Sequence, residues 1–369
     1  LQIAVAASDT ASIIASAINA AINAATDLPV TASVSTSTVT MTARWKGLTG
    51  NDIQISHSYN GLAAGESLPT GVGLTITAMA SGTTAPSLTA AIVAMGDDAY
   101  DFIIHPYTDS TSFGALTTEL GETSGRWSWS RQIYGHAYSA FRGDLSSLVT
   151  YGGTVNDPHQ TVAAIDADTQ APSWEYAAAF AAQNAVAIAA DPARPTQTLP
   201  LTGILPPRAG KHFIWSERNT LLNYGIATCY VEGGALRIER AITTYQTNAS
   251  GVDDVSYFDS ETLHTSAYVL RRLKSAITSK YARHKLANDD TRFGAGNAIV
   301  TPKVIRSELL SQYRQMEFDG IVENYAAFAA NLVVERNASN PNRVDVLFPP
   351  DYVNQLRVFA VLNQFHLQY

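Results

Sequence analysis

Between residues 101 and 191 the chain alternates short apolar runs with helix-forming stretches, and this rhythm constrains the fold more than any other feature. DFIIH (101–105) reads as a strand, and Asp109-Ser110 offers a cap for a helix reaching about Leu120. IYGHAYSA (133–140) is a second strand, followed by Gly143-Asp144 and a short helix. TVAAID (161–166) is a third strand, and SWEYAAAFAAQNAVAIAAD (173–191) is an Ala-rich helix. Strands interleaved with helices predict a largely parallel sheet covered on both faces, because parallel neighbours need a crossover between them. The Ala-rich helix has small residues on nearly every side, which suits close packing within the domain.

Upstream, Ser8-Asp9-Thr10 supplies N-cap chemistry. Ile13, Ile14, Ala17, Ile18, Ala21 and Ile22 then recur at helical spacing as far as Asp27-Leu28-Pro29. Residues 30–42 alternate β-formers with small polar residues, as a half-exposed strand pair does, and further strands are expected at 53–59 and 72–79. Residues 81–86 (SGTTAP) read as a linker, as does the Pro-punctuated loop 192–207. A hairpin turning at Glu232-Gly233-Gly234 follows. A long helix is expected from about Ser260 to His284, capped by Asp259-Ser260. A second runs from Pro302, a residue suited to the first helical position, to about Phe318. Two strands, 328–335 and 343–348, close this part. In the terminal run NQLRVFAVLNQFHLQY, Phe365, Leu367 and Tyr369 alternate with Gln364, His366 and Gln368, the period of a strand with one covered face. Such a strand either edges its own sheet or completes a neighbour's.

With 369 residues, 46% of them apolar, the chain can bury two or three cores. Only 15% are charged, and the abundant Ala, Ser and Thr suggest a surface that neighbours cover. Residues 1–236 carry 9 Lys/Arg against 18 Asp/Glu, whereas residues 237–369 carry 15 against 14. An acidic front and a neutral back argue against non-specific nucleic-acid binding by the whole protein. In RRLKSAITSKYARHK (271–285), Arg271, Arg272, Lys274, Lys280, Arg283 and Lys285 occur with no acid among them. The ordinary meaning of such a run is a solvated face. No apolar run approaches the roughly 20 residues that span a bilayer, and residues 1–7 lack the pattern of a signal peptide. LQIAVAAS at the start reads as the end of a strand, so a trimmed amino terminus is expected. The lone Cys229 has no disulfide partner and reads as a buried strand residue.

A parallel sheet would place chemistry at the carboxyl ends of its strands, where His105, Tyr107, Asp109, His136 and Asp166 are the polar candidates. A serine hydrolase needs a nucleophile with its base in reach, and no Gly-x-Ser-x-Gly elbow is present. Asp109 is explained as a helix cap, and His136 sits in an apolar strand. Asp97, Asp98 and Asp101 lack the spacing of a calcium loop, and Gly294-Ala295-Gly296 lacks the third glycine of a nucleotide fingerprint. Neither a cofactor, a metal nor a catalytic residue is expected. A hydrolase using the α/β region is the alternative reading, and a capsid or tube component is a third.

TRFGAGNAIVTPKVIRSELLSQYRQMEFDGIVEN (291–324) and VERNASNPNRVDVLFPPDYVNQLRVFAVLNQFHLQY (334–369) resemble the carboxy-terminal region of the tail sheath protein of Mu-like contractile bacteriophages. The resemblance continues upstream through ALRIERAITTYQTNASGVDDVSYFDSETLHTSAYVLRRLKSAITSKYARHKLANDD (235–290). More weakly it covers WKGLTGNDIQI, YDFIIHPYTD and DPARPTQTLPLTGILPP, so that it spans nearly the whole chain. It implies a multidomain α/β plus α+β fold. A small α+β outer unit (1–86) would precede a three-layer subtilisin-like α/β domain without catalytic residues (87–210). A C-terminal α+β sheath domain (211–354) and a strand arm (355–369) would follow, with the linkers near 81–86 and 192–207 free to flex.

The function implied is that of a structural subunit, stacked as hexameric rings around the tail tube and contracting to drive the tube through the host envelope. Its partners would be further copies of itself in a helical homo-oligomer, the tail tube protein, and the baseplate and tail terminator proteins. Nucleic acid and direct membrane insertion have no part in it. The location implied is the virion, after assembly in the bacterial cytoplasm. Arg271, Arg272, Lys274, Lys280, Arg283 and Lys285 would face the tube. Leu356, Val358, Phe359, Val361, Phe365, Leu367 and Tyr369 would form an inter-subunit strand arm.

Overall fold

The computed structural model describes residues 1–58, 60 and 64–365. The chain divides into two compact units, one made of Leu1–Ala185 with Gln197–Ser260, the other of Val186–Thr196 with the chain from Glu261 onward.

The first unit opens with α1 (Ala11–Ala24), whose first turn is capped by the Thr10 hydroxyl accepting from the Ile13 amide at 3.4 Å. It packs on the antiparallel pair β1 (Val30–Ser35) and β2 (Thr38–Ala43) through Ile22 and Val30, and Trp174 joins the same cluster. The strands expected at 53–59 and 72–79 do not form. Leu48–Asp52 is a 3-10 turn, and among the described residues 53–58 and 72–79 enter no ladder. Side chains engage this segment instead. The Asp52 carboxylate accepts from Arg142 Nε at 2.6 Å and from the Ser173 amide, and Ser56 accepts from Gln170. Asn51 pins the 81–86 stretch, donating to Gly82 O at 2.9 Å and accepting from Gly82 N at 2.7 Å. A Cβ at Gly82 would strike the Gly47 carbonyl, so only glycine fits that crossing. A segment expected to flex is therefore a hydrogen-bonded strap.

Next come α2 (Thr89–Met95), β3 (Phe102–Ile104), α3 (Ser110–Leu120), β4 (His136–Gly143), α4 (Leu145–Gly152), β5 (Gln160–Asp166) and α5 (Ser173–Ala190). The strands form a parallel sheet in the order β3-β4-β5, in register Phe102↔His136 and Ala137↔Gln160. The predicted alternation is thus realised. Asp109 and Asp144 start α3 and α4 by accepting from the Ser112 and Ser147 amides at 3.0 and 2.9 Å. Every residue of β5 is buried, as expected of a parallel strand covered on both faces.

After α6 (Trp215–Asn223) the hairpin β6 (Thr228–Glu232) and β7 (Ala235–Arg240) turns through Gly233 and Gly234, both at positive φ. The sequence places this hairpin with the carboxy-terminal domain from 211, but it packs in the first unit. Ala227 bridges Ala163 in parallel, and Leu236 and Ile238 share one core with Tyr138, Ile165, Tyr176 and Phe180. The open edge of β5 supplies the cover that the hairpin's apolar face needs. Residues 198–201, expected as flexible linker, run along β7 with Thr198 N and Leu201 N each 2.8 Å from a β7 carbonyl.

The second unit contains α7 (Ser260–Tyr281), the short parallel pair β8 (Lys285–Leu286) and β9 (Ile299–Val300), α8 (Pro302–Phe318), α9 (Tyr325–Asn331), and the antiparallel pair β10 (Val333–Arg336) and β11 (Val344–Leu347). Val269 and Leu273 of α7 meet Ile305, Leu309, Tyr313 and Met316 of α8 in its core. The strand expected over 328–335 begins only at Val333. Residues 325–331 (YAAFAAN) are helical, in keeping with the propensity of alanine, and this turns Phe328 onto the Tyr313 ring.

Candidate assembly interface

The polar residues of the α/β sheet do not converge. His136 begins β4 whereas Asp166 ends β5, so they lie at opposite ends of parallel strands. At the carboxyl ends the Arg142 guanidinium donates to Asp52 and to the carbonyls of Asp166, Thr169 and Ala171. Burial raises the Asp166 carboxyl above its usual range, against the Phe213 amide that donates to it at 2.6 Å. His136 Nε2 is 2.8 Å from the Thr161 hydroxyl, and Asp97 pairs with Arg131 at 3.2 Å. Cys229 is buried, which pushes its thiol up to about 12 and leaves it inert as a nucleophile. Among the described residues no cluster of His, Cys, Asp and Glu could hold a metal, and no helix is long and apolar enough to cross a membrane.

His105, at the end of β3, is a structural residue with a measurable signature. Burial pushes its imidazole down to about 4, opposed by the Tyr107 backbone and the Asp109 carboxylate. Between that value and the ordinary 6.5 the unfolded chain binds a proton that the folded chain does not. Stability is therefore full above pH 6.5 and falls as pH drops toward 4, by on the order of 3 kcal/mol for this group. Urea unfolding at pH 7 and pH 5 should show a smaller loss in His105→Asn than in the parent protein.

The six basic residues of 271–285 fall into two sets. Arg272 Nη1 lies 2.6 Å from Asp319, and Lys280 Nζ lies 2.7 Å from Glu308, whose carboxyl that ammonium holds below its usual range. These two cations are paired within the unit by acids that α8 brings alongside α7. Lys274 on α7, Arg283 beyond its end and Lys285 in β8 are exposed, and Arg271 is half-buried. The basic run alone gave no sign of the pairing, because both acids are distant in sequence.

The terminal arm has an anchored root and an uncovered continuation. Arg357 Nη2 is 3.2 Å from the fully buried Glu261, whose carboxylate also accepts from the Thr196 amide at 3.0 Å and hydroxyl at 2.8 Å. Gln355 Nε2 donates to Ala193 O at 3.3 Å. Leu356, Val358, Phe359, Val361 and Phe365 are exposed, Phe359 to 83%, as is Leu362. Residues 353–365 enter no ladder. Leu367 and Tyr369 lie outside the described residues. Among the described residues the β10–β11 pair is only two strands wide, with Val333, Val346 and Leu347 exposed.

Residues 81–244 match the family described as phage tail sheath protein central domain, and residues 252–366 match the phage tail sheath C-terminal domain. The chain belongs to the phage tail sheath family. The first match ends after the β6–β7 hairpin, in step with where that hairpin packs. The chain is 41% identical over 365 residues to the Mu-like prophage FluMu tail sheath protein of Haemophilus influenzae, covering 99% of this chain and 73% of that protein. Among solved structures it is similar to the sheath tail protein of Desulfitobacterium hafniense, with a TM-score of 0.51 and 13% identity over 85% of this chain and 76% of that one. It is also similar to the sheath tail protein of Listeria innocua, with a TM-score of 0.53 and 13% identity over 78% and 63%. These likenesses show a shared multidomain fold of mixed helices and strands. The chain is a structural protein of a contractile phage tail, not an enzyme, and the hydrolase alternative is set aside.

Proposed function

We propose that this chain assembles with copies of itself into stacked hexameric rings around a tail tube, and that contraction of this sheath drives the tube through the host envelope. The observation that carries the reading is the uncovered apolar arm, rooted by Arg357 on a buried carboxylate, in a unit whose β10–β11 pair has exposed apolar residues. A neighbour's arm adding a strand to that pair would bury both sets of side chains and satisfy backbone groups on each. Each such side chain contributes about 1.5–3 kcal/mol when fully buried. Strand exchange between copies is head-to-tail, so it is not confined to a pair and can repeat from ring to ring along a helical tube. Subunits can then rotate and repack during contraction while the strand links persist. The α/β region, as a three-layer subtilisin-like domain without catalytic residues, moves as a rigid body.

Lys274, Arg283 and Lys285, with Arg271, face the tail tube protein in this reading, while Arg272 and Lys280 shape that face through Asp319 and Glu308. Contacts between exposed charges are worth about 0–1 kcal/mol each, weak enough for a sheath that must release its tube. The baseplate and the tail terminator are the partners at its two ends. The particle is built in the host cytoplasm and the protein resides in the virion tail. Co-expression with the cognate tube protein, followed by electron microscopy, tests the reading. Sheathed tubes are the expected result; naked tubes beside soluble chain would contradict it.

A further inference from the structure

The outer face of α8 carries an open groove of about 560 Å³, lined by Ser307, Leu310, Ser311, Arg314, Phe318 and Tyr325. Its shape follows from the helix. Ile305, Leu309, Tyr313 and Met316 turn inward to the core, which leaves Ser307, Ser311, Arg314 and Phe318 along the opposite side. The two serines make a trough, and Phe318, 87% exposed, forms its wall. The acids near this face are engaged: Glu308 with Lys280 and Gln312, Glu317 with the Tyr325 amide, and Asp319 with Arg272 and Gln315. Arg314 is not. Its guanidinium lies 4.3 Å over the Tyr325 ring and, among the described residues, makes no hydrogen bond or ion pair. A groove with one uncommitted, pre-oriented guanidinium beside an apolar wall fits a carboxylate with apolar flanks.

The first unit presents that complement. In Val252-Asp253-Asp254-Val255 the two valines are 60% and 77% exposed. Asp254 is occupied by the Tyr245 hydroxyl at 2.8 Å and the Ser256 amide at 2.9 Å. The exposed Asp253 side chain makes no bond among the described residues. The loop is rigidly set, with Asn248 N donating to Val252 O at 2.9 Å, Val252 N to Asn248 Oδ1 at 3.2 Å, and Asp254 N to Gln246 O at 3.0 Å. Little conformational freedom is lost when such a loop docks.

The geometry points to a contact between copies in which the 252–255 loop of one subunit seats in the α8 groove of another, Asp253 pairing with Arg314 and the valines covering Phe318. The two surfaces differ, so the contact is heterologous and repeats without closing on a pair. It deepens the sheath reading above, on which it rests, and it uses neither the arm nor the basic strip. Charge exchange tests it in the full chain, assembled on the tube protein and quantified by sedimentation and electron microscopy. Arg314→Glu and Asp253→Arg should each raise the concentration needed for sheath formation at least tenfold, with folding unchanged by circular dichroism. Combined, they should restore assembly to within about threefold of the parent. Single variants that assemble normally, or a combined variant no better than either, would overturn the pairing while leaving the sheath reading intact. Loss of tube binding in Arg314→Glu alone, with Asp253→Arg unaffected, would assign the groove to the tube instead. Failure of the parent protein to sheathe the tube would sink both readings.

Discussion

Tyr313→Ala should destabilise the second unit by about 4–5 kcal/mol, the largest loss expected from any single substitution there. Tyr313 is fully buried, stacked face to face on Phe328 at 3.7 Å, with Tyr325 and Phe348 around it at 6.3 and 6.2 Å. Its hydroxyl donates to Glu323 O at 2.6 Å and accepts from Asp351 N at 3.1 Å. One side chain thus ties α8 to α9 and to the chain leading into the terminal arm. Truncation removes the ring, leaves a cavity and orphans two backbone groups. Tyr313→Phe keeps the stack and loses only the hydrogen bonds, for about 1–2 kcal/mol. Urea unfolding followed by far-UV circular dichroism distinguishes the two. A Tyr313→Ala loss below about 1 kcal/mol would contradict the packing described.

The parts of the fold that were legible in the sequence are those whose causes are local. Asp109 and Asp144 cap the helices that follow them, and the apolar runs of β4 and β5 mark buried parallel strands without reference to any distant residue. What the sequence hid depends on partners far along the chain. The β6–β7 hairpin looks like the start of the last domain until β5 is seen to offer it an edge at Ala163. The basic run of α7 looks uniformly exposed until α8 brings Glu308 and Asp319 alongside. Residues 328–331 lean toward strand when read with the Leu-Val-Val that follows, yet the alanines of 325–331 and the Tyr313 ring favour a helix.

The candidate site shows the same division. The apolar alternation of the arm was visible in the sequence. Its root was not, because Arg357 meets a carboxylate at the far end of α7. Nothing in the sequence signalled the α8 groove, whose character depends on which charges are already paired.

That root also decides how the arm should be tested. Cutting after Asn354 would remove Arg357 and leave Glu261 buried without its cation, a loss of about 3–5 kcal/mol that would confuse folding with assembly. The informative chain ends at Arg357, which keeps the ion pair and discards only Val358 onward. Electron microscopy of this chain beside the full-length protein, each with the cognate tube protein, measures most directly whether the sheath is linked by its arms. The full-length protein should give sheathed tubes, and the shortened one folded subunits that leave the tubes bare. Sheaths of equal length from the shortened chain would contradict strand linkage.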